Sequence, residues 1–146
     1  ELVAAARTTP SELEVASFDE TFVGTGKARI TPYVSFYLVS QGRERLLVDL
    51  RDQLAALGLS RRGSALEPED HIAGLCEVMR HLVLQGSGDA ELRSQRDFFD
   101  RFLRHGYAGL CAAIDADQAV SAFYRALARL ARAFFAIEAQ ALEMVQ

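Results

Sequence analysis

Apolar residues recur along most of this chain at three- and four-residue spacing, and the stretches between them are short and rich in Gly, Pro, Ser and Asp. That rhythm predicts amphipathic helices joined by brief loops. Residues 1–7 read as the end of a helix stopped by Thr8-Thr9-Pro10. Ser11 and Glu14 have capping-box spacing, and Leu13, Val15, Phe18 and Phe22 form a stripe on a helix that should stop at Gly24. Residues 24–33 read as an irregular connection, because Pro32 holds Thr31 out of the helical region. Tyr33 to Ser40 has strand-like composition but no second strand to pair with. It is expected to be a loop or a helical turn.

The remaining elements follow the same logic. Arg43 to Leu57 places Leu46, Leu47, Leu50, Leu54 and Leu57 on one side, with Gly58 as the stop. A polar loop leads to Pro68, expected as the first helical residue, with Glu69 and Asp70 favoured by the positive end of the helix dipole. That helix should run to about Leu84, burying Ile72, Leu75, Cys76, Met79 and Leu82. The next, capped by Asp89, carries Leu92, Phe98, Phe99, Phe102 and Leu103 and should end at Gly106. A short helix from Tyr107 to Ile114 and a long one from Gln118 to Met144 complete the chain. On the last, Val120, Phe123, Leu127, Leu130, Phe134 and Leu142 form the expected inward stripe. The expected fold is all-α, a compact bundle of five to six helices in a single domain over residues 1–146.

Composition narrows the function. The chain of 146 residues is half hydrophobic and carries a net charge of −4, which argues against a general binder of nucleic acid or anionic membranes. No apolar run is long enough to span a bilayer. Cys76 and Cys111 are too few for a disulfide scaffold, fit a reducing compartment, and fall on expected apolar faces.

Most candidate motifs fail on inspection. Gly24-Thr25-Gly26-Lys27 lacks the first Gly and the hydroxyl residue of a phosphate loop, whose places hold Thr21 and Ala28. Ser60-Arg61-Arg62 matches the core of a twin-arginine export signal, but it lies mid-chain and is followed by charge, not by an apolar run. His81 and His105 are expected near helix C-termini, where a cation is favoured. No His or Cys has metal-ligand spacing, and no nucleophile triad can be assembled. Glu67-Pro68-Glu69-Asp70-His71-Ile72 is different. A charged, Pro-started helix N-terminus explains every residue except His71, whose cation that end disfavours. Two readings stay open there: a plain helix start, or a polar recognition point for a peptide.

Glu67-Pro68-Glu69-Asp70-His71-Ile72-Ala73, with Met79 and Leu82 behind it, resembles the E-P-x-D-H signature of the TorD-like maturation chaperones of molybdenum-dependent oxidoreductases. Phe18-Asp19-Glu20-Thr21-Phe22-Val23-Gly24 resembles that family's Y-x-x-L-F-x-G block, with Phe18 for Tyr and Thr21 for Leu. Thr31-Pro32-Tyr33-Val34-Ser35-Phe36-Tyr37 resembles its P-P-[YW]-x-S-v-Y block, and Phe123-Tyr124 with Phe134-Phe135 and Glu138 its closing helix. The blocks run in family order across residues 11–146.

The resemblance implies a cytoplasmic, non-enzymatic chaperone with no cofactor of its own. Its partner would be the apo-molybdenum oxidoreductase catalytic subunit, bound through an N-terminal leader, often of twin-arginine type, and held for insertion of the molybdopterin cofactor. Positions matching the motifs make Pro32, Tyr33, Ser35, Asp70 and His71 the expected leader-binding residues. Family members carry further helices ahead of the first block. The resemblance therefore leaves open a fragment, a processed form or a shortened member, and a homodimer, domain-swapped or not, in which a second chain completes the bundle. The alternatives are a nucleotide-binding helical switch and a plain oligomerisation bundle.

Overall fold

The structure, a computed structural model, describes residues 11–23, 28–38, 42–63 and 67–145. The expected helix at residues 1–7, the Gly24 to Lys27 loop and the side chains of the Ser11 to Glu14 capping box lie outside the described residues. Among the described residues seven helices follow in order: α1 (Ser11–Phe18, continued by a π turn over Asp19–Val23), α2 (Ser35–Leu38), α3 (Arg43–Ala56), α4 (Ile72–Gln85), α5 (Asp89–Phe98), α6 (Arg104–Ala116) and α7 (Ala122–Glu143). No strand forms among the described residues, and Tyr33 to Leu38 makes one isolated bridge and a single helical turn. The fold is all-α, as the pattern predicts.

Gly58 ends α3 as expected. It adopts a φ of 69°, the Gly58 N–H bonds the Ala55 carbonyl at 3.0 Å, and the Leu59 N–H bonds that of Leu54 at 2.8 Å. This is the Schellman closure, and Leu59 packs on the core beside it.

Gly106, by contrast, stops nothing. Asp89 to Ala116 is helical throughout, because a π turn over Phe99–Leu103 joins α5 to α6. The cause is the spacing of the buried positions. Gln95, Phe99, Leu103, Tyr107 and Cys111 are all buried and recur every fourth residue. On a helix of 3.6 residues per turn, a four-residue repeat drifts by about 40° per step. The wider π turn absorbs the surplus residue and returns the stripe to the core. Gly106 and Gly109 serve packing instead: a Cβ on either would come within 2.7 Å of Val34 or Tyr37 respectively, so their absence of side chain lets α2 lie directly on α6. His105 accordingly sits inside a continuous helix and not at a helix end. Asp89 is the first residue of α5, with Gly88 as the uncapped N-cap.

The long helix departs from expectation in register. It begins at Ala122, because Asp117 Oδ1 accepts the Ala119 N–H at 2.9 Å and holds a turn before it. Ser121 caps it by accepting the Tyr124 N–H. Val120 and Leu142 are buried as expected, but Leu127, Leu130 and Phe134 are 40%, 53% and 54% exposed. Tyr124, Ala128, Ala131, Phe135, Ala139 and Leu142 pack inward instead. Both faces of α7 are apolar, and the face with three alanines permits the closer approach to α6. In α1, likewise, Val15 and Phe18 are exposed while Phe22 packs against the core.

The core fills the space between α3, α4, the α5–α6 helix and α7. Leu50, Leu75, Leu82, Phe98, Phe99, Phe102 and Leu103 are almost wholly excluded from water. No described helix is long and apolar enough to cross a membrane.

Candidate functional site

Two segments about 38 residues apart in sequence are stitched together at the start of α4. The Val34 N–H donates to the Asp70 carbonyl at 3.0 Å, and the Ile72 N–H donates to the Pro32 carbonyl at 2.9 Å, pairing Tyr33 with His71 in an antiparallel bridge. The two rings meet edge to face, their centroids 5.7 Å apart.

This pairing overturns the expected helix start. Residues bonded across a bridge are extended, so Pro68, Glu69 and Asp70 form a turn ahead of α4 and the helix begins only at Ile72. His71 becomes the N-cap, with φ −61° and ψ 131°, and its Nδ1 accepts the Ala73 N–H at 3.2 Å. A neutral imidazole that accepts an amide suits this end of a helix as well as Ser or Asp does. The difficulty with His71 disappears once its role is acceptor and not cation. Its Nε2 then carries the ring proton and is the donor available to a ligand.

Asp70 is not the exposed first-turn residue that the motif suggested. It is only 3% exposed. Ser35 is buried too, in the first turn of α2, and neither residue lines the two pockets that open at this junction. Asp70 and Ser35 thus lie behind the junction; His71 lines both pockets, the buried Pro32 lines only the apolar one, and Tyr33 lines neither but packs its ring against His71.

The two pockets share His71 and Ala73. One, of about 340 Å³, is almost entirely apolar: Phe22, Ile72, Leu110, Ile114, Tyr124 and Phe135 line it together with Pro32 and His71. Phe18, Phe22 and Tyr124 cluster over it, with ring centroids 5.1–6.4 Å apart. Cys76 and Cys111 also line it, and burial pushes both thiols above the ordinary range, away from the reactive thiolate. Cys111 is the small core residue expected, whereas Cys76 is only partly buried.

The second pocket, of about 560 Å³, sets charged side chains on a largely apolar lining. Arg61, Glu67, Glu69, Glu77, Arg80 and His81 line it together with His71. The Tyr33 hydroxyl donates to the Glu67 carboxylate, and this bond, with burial and the nearby charge of Glu67, pushes the phenol up to about 12. Glu69 Oε2 accepts from Arg51 Nη2 at 3.0 Å, and that bond holds the Glu69 carboxyl below its ordinary range against the opposing effect of burial. Sequence reasoning read Glu67 and Glu69 as part of a charged helix start and did not single out Arg51. Nothing in their spacing joins α3 to the turn before α4. The aromatic blocks at Phe18, Phe22 and Tyr124 did carry a signal for the apolar pocket, through their order.

Among the described residues the chain is thus all-helical, with two distant loops bonded together beside an apolar pocket. The family model described as the nitrate reductase delta subunit matches residues 1–113, and the chain belongs to that family, in which the TorD chaperones fall. Among curated proteins, the chaperone protein TorD from two strains of Vibrio cholerae serotype O1 is 29% identical over 93% of this chain and 66% of its own length. The chain thus spans just under two thirds of the relatives it matches. No solved structure matches it.

Proposed function

We propose that this protein is a maturation chaperone that binds the leader of an apo-molybdenum oxidoreductase catalytic subunit in the cytoplasm and holds the subunit for insertion of its cofactor. Family membership supports the chaperone role. The observation that carries the leader reading is the Tyr33–His71 bridge, beside which an apolar pocket and a carboxylate-bearing one share His71 and Ala73. An apolar peptide with basic residues at one end complements both. Pro32 and the aromatic cluster would receive its apolar segment, and Tyr33 and His71 would flank the basic end. Asp70 and Ser35 would hold the two loops in register from beneath. Binding of this kind requires no covalent chemistry, and the protein is expected to turn over no substrate.

The test is calorimetric titration of a twin-arginine leader peptide into the protein, beside the same peptide with both arginines replaced by Gln. Saturable binding that weakens in the Gln peptide is expected. Equal heats for the two, or none for either, would overturn the reading.

A further inference from the structure

We propose that Glu69 is the carboxylate that reads a guanidinium of the bound leader, and that Arg61 of this chain's own Ser60-Arg61-Arg62 holds that place in the free protein. The proposal rests on the leader-binding reading and assigns its charged subsite.

Ser60 and Arg61 line the same pocket as Glu69 and His71. Arg61 Nη1 donates to the Glu67 carbonyl at 3.2 Å, and Arg61 Nε lies 3.8 Å from Glu69 Oε1. The two oxygens of Glu69 are therefore held unequally. Oε2 has a full hydrogen bond from Arg51, and the Glu69 backbone N–H also supports the carboxylate, whereas Arg61 lies too far from Oε1 for a hydrogen bond. The Glu69 side chain is only 11% exposed and that of Arg61 is 44% exposed. A carboxylate so enclosed gains from a second charge-assisted bond, and a planar guanidinium is the group best shaped to supply it. Arg61 reaches it only loosely.

The Ser-Arg-Arg sequence found no use as an export signal. In the folded chain its first arginine sits where the leader's arginine would bind. Leader binding is then an exchange: the leader's guanidinium closes on Glu69 Oε1, and Arg61 swings out to solvent. Arg61 lowers the affinity for every leader whose guanidinium must displace it.

The probe is a synthetic peptide in which Ser-Arg-Arg precedes a run of Leu and Ala, with a Lys-Lys version as comparison. Arg61→Ala should bind it about 2- to 5-fold more tightly than wild type, the range for loss of a competing surface ion pair. Arg62→Ala removes the same charge from an exposed neighbour and should leave affinity unchanged. Glu69→Gln should lose the preference for Arg-Arg over Lys-Lys. If Arg61→Ala binds no more tightly than Arg62→Ala, the internal competitor does not exist, although the leader site stands. If neither wild type nor Arg61→Ala takes up the peptide, both this proposal and the leader reading fall.

Discussion

Replacing Gly106 with Ala tests how the fold holds the site, and a second glycine provides the internal reference. A Cβ on Gly106 would lie 2.7 Å from the Val34 Cβ and 3.2 Å from its Cγ1. The Val34 Cβ is fixed to the backbone, so no rotamer change relieves the contact. Residues 33–35 must shift, and they carry the Val34–Asp70 bond and the ring of Tyr33. In the first turn of α4, a Cβ on Gly74 would meet nothing closer than the Glu69 carbonyl at 3.6 Å, an ordinary contact. Both changes gain helix propensity, up to about 1 kcal/mol. That gain largely cancels in the comparison. Overpacking a tight site costs about 1–3 kcal/mol, so Gly106→Ala should be less stable than Gly74→Ala by about that amount. For a chain of this size, the difference is about 3–10 °C in melting temperature. Urea unfolding followed by circular dichroism, with thermal melts alongside, measures both variants. Gly106→Ala matching or exceeding Gly74→Ala would show that α2 does not rest on α6 as described.

His71→Ala should cost about 1 kcal/mol through loss of the α4 cap, while His71→Asn, which can still accept the Ala73 N–H, should cost much less; paired denaturation curves check this. In an alkaline titration monitored by phenolate absorbance, the Tyr33 component, isolated by difference from Tyr33→Phe, should ionise near 12 and move back toward 10 in Glu67→Gln. Because the folded pKa is raised, the Tyr33–Glu67 bond contributes its stability in full below pH 10. That contribution is lost as pH rises toward 12. An unshifted Tyr33 in the wild type would contradict the bond.

Helix existence was legible wherever one face alone is apolar, as in α3 and α4. It was not legible in register for α7, since Leu127, Leu130 and Phe134 offer as good a stripe as Ala128, Ala131 and Phe135. Periodicity cannot tell which of two apolar faces has the smaller residues opposite a close neighbour. The break expected at Gly106 rested on glycine as a helix stop; its use for close approach depends on α2, which is remote in sequence. The candidate site was legible in its two loops, because Pro32, Tyr33 and His71 stand in recognisable blocks. Their local form was not. Pro68-Glu69-Asp70 has every local feature of a helix start, but the two hydrogen bonds to Pro32 and Val34 hold it as a turn ahead of α4. The same bonds bury Asp70 and turn His71 into a cap.

The central claim is that a leader binds where the Tyr33 and His71 loops meet, and amide hydrogen exchange with and without a twin-arginine leader peptide tests it most directly. Peptide binding should slow exchange in segments 28–38 and 67–81, the two loops and the first turns of α4, where backbone opening must be suppressed by a ligand bridging them. Protection confined to α7, along the exposed Leu127, Leu130, Phe134 and Ile137 face, with the two loops unchanged, would contradict the account.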